Sequence, residues 1–473
     1  MAKAFNFKKN VVEALADAQL RQNFATAMGG FIIKRRNLLS DAEERESLRD
    51  ACSMVRRRTL AKLPELLEQL EANCAKNGIH VHWAETTHEA NDIVLSILRQ
   101  HDATRVVKGK SMVSEEMHLN THLEKNGMEV TETDLGEFII QLAGEPPSHI
   151  IVPAVHKNRQ QVGRIFEEHL GVPYTEDIPE LNATARRTLR NKYKEADAGI
   201  SGVNFAVAET GTLCLVENEG NGRMCTTTPP LHIAVMGLEK VVERLSDIHP
   251  VYRLLTASAT GQLITTYFNM ITSPRKKGEM DGPDEVHLVI LDNGRSTILA
   301  EPLMRETLQC IRCGSCLNHC PVYTRIGGHA YGHVYPGPIG KILTPQMTGL
   351  EESGVLATAS SLCNACEEVC PARIPIPDIL RALRQENNAR KGTGSVKGHG
   401  SKRKPTEAFV WKGWQLVNTT PALNAVVTRI AGALGDKLPP AGPLGAWMSV
   451  RTRPKLAKKS LHQMCKEQGV DNV

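Results

Sequence analysis

Seven of the twelve cysteines in this 473-residue chain fall between Cys310 and Cys370, and that clustering constrains the fold more than any other feature. The first run, Cys310-Ile311-Arg312-Cys313-Gly314-Ser315-Cys316-Leu317-Asn318-His319-Cys320-Pro321, reads C-x2-C-x2-C-x3-C-P. In bacterial ferredoxins this spacing lets three thiolates wrap one cuboidal iron–sulfur cluster, while the fourth turns away at the proline to serve another. The second run, from Ser360 through Cys363, Cys366 and Cys370 to Pro371, fits the same template with serine at its first position. Cross-ligation then predicts one cluster on Cys310, Cys313, Cys316 and Cys370, and a second on Cys320, Cys363 and Cys366. The second is one thiolate short. Either Ser360 or an outside group closes a 4Fe-4S centre, or a remote cysteine (Cys214, Cys225 or Cys465) swings in, or the centre is 3Fe-4S; spacing does not choose. Zinc sites normally lack a third closely spaced thiolate, and disulfides are rare in a reducing cytosol. Electron transfer is the chemistry such a pair of clusters supports.

Length bounds the rest. At about 150 residues per domain the chain holds two or three domains. With 41% hydrophobic and 23% charged residues, most of it folds into globular cores. The net charge of +5 gives no reason to expect nucleic acid as a partner. The start lacks the apolar core of a secretory signal, and the longest uncharged stretch, Leu254 to Pro274, is too polar to span a membrane. A cytoplasmic protein without a transmembrane segment is expected.

Residues 1–75 read as helical, with a capping box at Ser40 and Glu43 and an apolar stripe of Leu60, Leu63, Leu67, Leu70 and Cys74. Pro64 kinks this stripe or opens a new helix, and Cys52 and Cys74 read as small buried hydrophobes. Residues 76–297 alternate β-rich runs with helical segments, the signature of a parallel sheet covered by helices. The expected strands include HVHWA, RVVKG, MEVTETDL, HIIVP, LHIAVMG, QLITTYF and EVHLVILD, with a hairpin turning near Glu209-Thr210-Gly211. A helix capped by Thr86 and Glu89 follows the first strand. Residues 298–388 form the cysteine-bearing domain, 389–406 a Gly/Ser/Lys-rich linker, and 407–473 a small helical tail carrying Trp411, Trp414 and Trp447.

Other candidates are weaker. Lys108-Gly109-Lys110-Ser111-Met112 follows a strand and could hold an anion, but lacks full P-loop spacing. No dinucleotide fingerprint occurs. In the loop from Gly327 to Gly340, His329 or His333 could relay protons or hydrogen-bond cluster sulfur, with structural packing the commoner use. Glu209–Thr212 and Asn218–Arg223 are pocket candidates.

Taken in order, the segment GISGVNFAVAETGTLCLVENEGNGRM, the two cysteine runs, the loop GGHAYGHVYPGPIG between them and the Trp-bearing tail resemble the lactate utilization iron–sulfur (LutB) family over nearly the whole chain. The resemblance implies an α/β lactate-utilization domain similar to the NagB/RpiA/CoA-transferase group, a mainly α-helical dicluster ferredoxin-like domain and a C-terminal helical tail. It further implies a subunit of a cytoplasmic complex oxidising L-lactate to pyruvate, with a cysteine-rich-domain protein and a second lactate-utilization-domain protein as partners. Serine at 360 matches the family pattern. The competing expectation is a metabolite-binding sensor whose clusters report redox state.

Overall fold

The structure, a computed structural model, describes residues 6–388, 405–434, 445, 448, 457 and 459–469. It divides into two compact units, Met1–Ser401 and Lys402–Val473.

The first unit begins with four helices: α1 (Phe7–Ala16), α2 (Ala18–Leu38), α3 (Ala42–Ala61) and α4 (Leu63–Lys76). Asp41, not Ser40, caps α3, because its carboxylate accepts the N–H groups of Glu43 and Glu44. The predicted stripe divides at Lys62, and Pro64 sits in the first turn of α4, where its missing N–H costs nothing. Cys52 and Cys74 are fully buried.

Ten strands follow: β1 (Ile79–Ala84), β2 (Arg105–Lys108), β3 (Glu129–Glu132), β4 (Ala198–Gly202), β5 (Phe205–Val207), β6 (Thr212–Glu217), β7 (Leu231–Gly237), β8 (Val241–Val242), β9 (Tyr267–Ile271) and β10 (Glu285–Leu291). Six of them make one parallel sheet, ordered β1-β10-β7-β4-β2-β3. All seven residues of β7 are buried, as a strand covered on both faces requires, and its one polar side chain, His232, is paired with Ser201 Oγ (2.9 Å). The hairpin β5–β6 turns at Glu209–Gly211 as expected, and belongs to a smaller sheet ordered β8-β5-β6-β9. Gly211 has φ +67°, and a Cβ there would lie 2.7 Å from the Asn73 carbonyl carbon, so this turn is pressed onto α4.

Two expected strands change. Within QLITTYF only Tyr267 and Phe268 join a strand, since β9 begins at Tyr267. HIIVP forms none: His149 Nδ1 accepts the N–H groups of Ile151 (3.0 Å) and Val152 (3.2 Å), curling the segment and withdrawing those donors from any ladder.

Helix α5 (Thr87–Gln100) is capped by Thr86 and buries Ala90, Val94 and Leu98 along one face. With Val235, Val289 and Leu291 these side chains form a core on one face of the parallel sheet. The core on the other face runs from Phe24 and Leu70 through Val286, Leu288 and Ile290 to Cys313, Tyr323 and Leu383. The cysteine-rich segment thus shares a hydrophobic core with the α/β sheet and the N-terminal helices.

In the second unit, helices span Pro405–Thr419 and Pro421–Leu434, the latter containing the expected Asn424–Leu434 helix. Most of the expected linker, residues 389–404, lies outside the described residues, as does Trp447; Pro405 and Thr406 begin a helix rather than ending a linker.

Within the first unit a buried charge network joins the α/β segment to the first cysteine run. The Arg295 guanidinium, fully buried, donates to Glu116 (2.8 and 2.9 Å) and Glu239 (2.7 Å), and Glu239 also accepts from Arg312 (3.2 Å) in the first cysteine run. Burial alone would raise the Glu239 carboxyl, but Arg295 and Arg312 hold it at about 2. Replacing Arg295 by Met leaves two carboxylates without their main partner. The folded state should lose about 3–5 kcal/mol, read as a lower urea midpoint; an unchanged midpoint would show that the network is dispensable.

Candidate iron–sulfur centre and adjoining pocket

The two cysteine runs adopt one backbone twice. Arg312 and Gly314 in the first run, and Leu362 and Asn364 in the second, all have positive φ (61°, 73°, 55° and 65°). Short helices follow at Ser315–Asn318 and Ala365–Glu368. Glycine suits position 314 because its φ is left-handed and a Cβ would crowd the His149 and Ile151 side chains at 3.2 Å, whereas Asn364 is a residue type that tolerates the left-handed region. At the head of the first run, the N–H of Arg312 donates to Cys310 Sγ (3.4 Å). At the head of the second, the N–H of Leu362 donates to Ser360 Oγ (3.1 Å), so the serine oxygen takes the role that sulfur has at 310.

Folding sorts the predicted site residues into two groups. Cys310, Cys313, Cys316 and Cys370 line one cavity, together with Ile150, Ile311 and Ile339. Cys320, Cys363 and Cys366 line another, with Ser360 in the same wall. Cys370 crosses to the first run and Cys320 to the second. Burial pushes the Cys366 thiol up to about 12 and Cys370 up to about 11. Such thiols become thiolates when a metal ion takes the place of the proton. N–H groups of Tyr323 and Ile374 point at Cys320 Sγ (3.5 Å) and Cys370 Sγ (3.4 Å), and the buried Lys341 ammonium reaches Cys320 Sγ at 3.4 Å. Hydrogen bonds of this kind favour electron density on sulfur and tune a cluster's potential.

Two of the remote cysteines are elsewhere in the first unit: Cys214 is buried in β6 and Cys225 is buried beside Thr133 Oγ1 (3.3 Å). Cys465 belongs to the second unit, on helix Leu461–Glu467. His329 and His333 line a different cavity, with Glu116, His118 and Tyr335, and His329 Nε2 bonds the Pro146 carbonyl (2.7 Å). Lys341, which the sequence reading passed over, occupies the sulfur-bonding role considered for those histidines. Its only local signal was a lone lysine after a Gly/Pro-rich turn.

Beside the first cysteine run a fourth pocket opens, lined among others by Lys110, Asn204, Glu219, Lys240, Arg312 and Tyr335. Of the predicted pocket segments, Asn218–Gly222 and Gly109–Met112 contribute to its wall, whereas Glu209–Thr212 does not. Lys108 is internally neutralised by Glu132 (2.7 Å) and Glu115 (3.3 Å), and Lys110 donates to the Ile151 carbonyl (2.6 Å). Two cations were missed by the sequence reading. Burial, then the neighbouring Arg312, lowers Lys240 to about 8. Arg312 lies 4.8 Å over the Tyr335 ring, and its buried Nη1 has no hydrogen-bond partner among the described residues. A small anion entering this pocket would meet both.

No described helix is long and apolar enough to cross a membrane. Comparison with known proteins matches residues 67–291 to the LUD domain, 306–374 to a 4Fe-4S dicluster domain and 382–470 to the lactate utilisation protein B C-terminal family. A Bacillus velezensis protein named lactate utilization protein B is 40% identical over 98% of this chain and 96% of its own length. Its Bacillus subtilis namesake is 40% identical over 95% and 93%, and the Escherichia coli protein described as the uncharacterized electron transport protein YkgF is 39% identical over 98% and 96%. A crystal structure of a DUF162 family protein from Deinococcus radiodurans aligns with 48% of this chain and 98% of its own at 16% identity, but its TM-score of 0.29 carries no argument. At this identity over this length, with the dicluster segment in place, the chain belongs to the lactate utilization protein B family of iron–sulfur proteins.

Proposed function

We propose that this protein is the electron-transfer subunit of a cytoplasmic complex that oxidises L-lactate to pyruvate, with two iron–sulfur clusters in line. The sorting of the seven cysteines into two cavities carries the reading. Cys310, Cys313, Cys316 and Cys370 hold one 4Fe-4S cluster; Cys320, Cys363 and Cys366 hold the second, with Ser360 facing its fourth corner. When bound, such clusters supply one-electron transfer. The chain's own residues bury Cys313, Cys320 and Cys370, orient the thiolates and offset charge through Lys341 and Arg312. A cysteine-rich-domain protein and a second lactate-utilization-domain protein are the proposed partners. The α/β domain, with its six-stranded parallel sheet, is of the NagB/RpiA/CoA-transferase kind in this reading, and its pocket beside the first cluster holds a small carboxylate on Lys240 and Arg312.

Anaerobically purified protein should contain about eight irons per chain, or about seven with a three-iron EPR signal when oxidised. Because ligation is crossed, Cys370→Ser in the second run should remove the cluster of the first, leaving about four irons or fewer. Retention of full iron would sink the assignment. Ser360→Cys should complete four thiolates at the second centre and abolish any three-iron signal; persistence of that signal would place the vacant corner elsewhere.

Lactate binding measured by calorimetry should weaken as pH rises through about 8, because the Lys240 ammonium that attracts the carboxylate is lost above its lowered pKa. Lys240→Gln should weaken binding several-fold and flatten this dependence. Identical, pH-independent heats for both proteins would assign Lys240 to the cluster's charge alone. Mixing with partner proteins and lactate should reduce the clusters as lactate is consumed, whereas a redox sensor would show no turnover.

A further inference from the structure

A cluster of histidines sits on the sheet face opposite the cysteines. In β10, Glu285, His287, Val289 and Leu291 alternate onto one side, and Val289 and Leu291 belong to the core beneath α5. The intervening Val286, Leu288 and Ile290 face the core that contains Cys313, Cys320 and Cys370. His101, directly after α5, hangs over the start of β10, while β1 places His80 opposite His287 in register.

Three potential ligand atoms converge on one spot. His101 Nδ1 lies 2.9 Å from the Ile97 carbonyl, a contact that only a ring N–H satisfies, so Nε2 is the lone-pair atom of the neutral ring. That atom faces Glu285 Oε2 at 3.2 Å. His287 is buried, and its Nδ1 is engaged with His82 Nε2 at 3.0 Å. Among the described residues its Nε2 has no hydrogen-bond partner, and it faces the same Glu285 oxygen at 3.5 Å.

The three candidate ligand atoms lie within 4.8 Å of one another, close enough for one cation to bridge them. Ligands about 2.0–2.1 Å from a tetrahedral zinc stand roughly 3.4 Å apart, the separation that both carboxylate–imidazole pairs show. The outer contacts also suit a metal: His101 donates its other N–H to a backbone carbonyl, and His287 Nδ1 pairs with a second imidazole, which leaves His287 Nε2 free to ligate in the tautomer that has the proton on Nδ1. Half-exposed Glu285 leaves a route for an ion to enter and for water to complete the coordination.

From this convergence we infer that His101, Glu285 and His287 form a zinc-type transition-metal site, with His82 orienting His287, separate from the iron–sulfur centre. It pins the end of α5 to the strand β10.

The test uses the full chain, purified anaerobically with its clusters, dialysed against zinc buffered by a competing chelator. Wild type should retain one zinc per chain, with a nitrogen and oxygen shell and no sulfur by X-ray absorption. His101→Ala and Glu285→Gln, both at partly exposed positions, should each weaken zinc binding more than tenfold while iron content stays unchanged. Zinc bound through sulfur, binding equal in all three proteins, or no zinc retained by wild type would each overturn the assignment. Iron content, measured separately, reports on the clusters independently of this outcome.

Discussion

Buried arginines hold the cysteine runs against the α/β sheet. Arg56 of α3, fully buried, donates to the carbonyls of Glu239 (2.6 Å), Val241 (2.9 Å) and Leu308 (3.0 Å), which come from two segments distant in sequence. Arg295 and Arg312 meet on the Glu239 carboxylate from the α/β domain and the cysteine loop respectively. Charges so deep are tolerable only when each is paired, and removing one partner costs more than the pair contributes. The network is therefore a strong constraint on registry: it fixes where the first cysteine run lies relative to the strands, and with it the pocket that Lys240 and Arg312 share.

Within that frame, the two cysteine runs behave as a repeat. Positive φ angles recur at matching positions, and the N–H that reaches sulfur at Cys310 has its counterpart reaching oxygen at Ser360. The substitution thus preserves the local turn while changing the chemistry offered at that corner. Lys341 adds a charge on the Cys320 side, and Arg35 of α2 donates to the Val369 carbonyl (3.3 Å) just before Cys370. The N-terminal helices take part in shaping the centre rather than forming a separate appendage.

The two faces of the parallel sheet also carry different polar chemistry. One side joins the cysteine-rich core, and the other buries His287 among imidazoles beneath the end of α5. Alternation along β10 makes this separation: a single strand sends Leu288 and Ile290 one way and His287 and Val289 the other.

Local spacing and periodicity determined much by themselves. The C-x2-C-x2-C-x3-C-P pattern defines a tight loop, and the alternation of β-rich runs such as those of β7 and β10 with helical segments made the parallel sheet legible from residue order. Tertiary structure decided what depends on contacts between distant segments. HIIVP has strand composition, yet the His149 ring captures its N–H groups and Asn318 holds the ring (3.1 Å). Lys108 looked available to an anion, but Glu132 arrives from the neighbouring strand to neutralise it. Lys240, Arg312 and Lys341, and the histidines of β1, β10 and the end of α5, carry no mutual spacing in sequence. Their chemistry arises only when folding removes them from water and sets their charges and lone pairs within a few ångströms, where electrostatic interactions are strong.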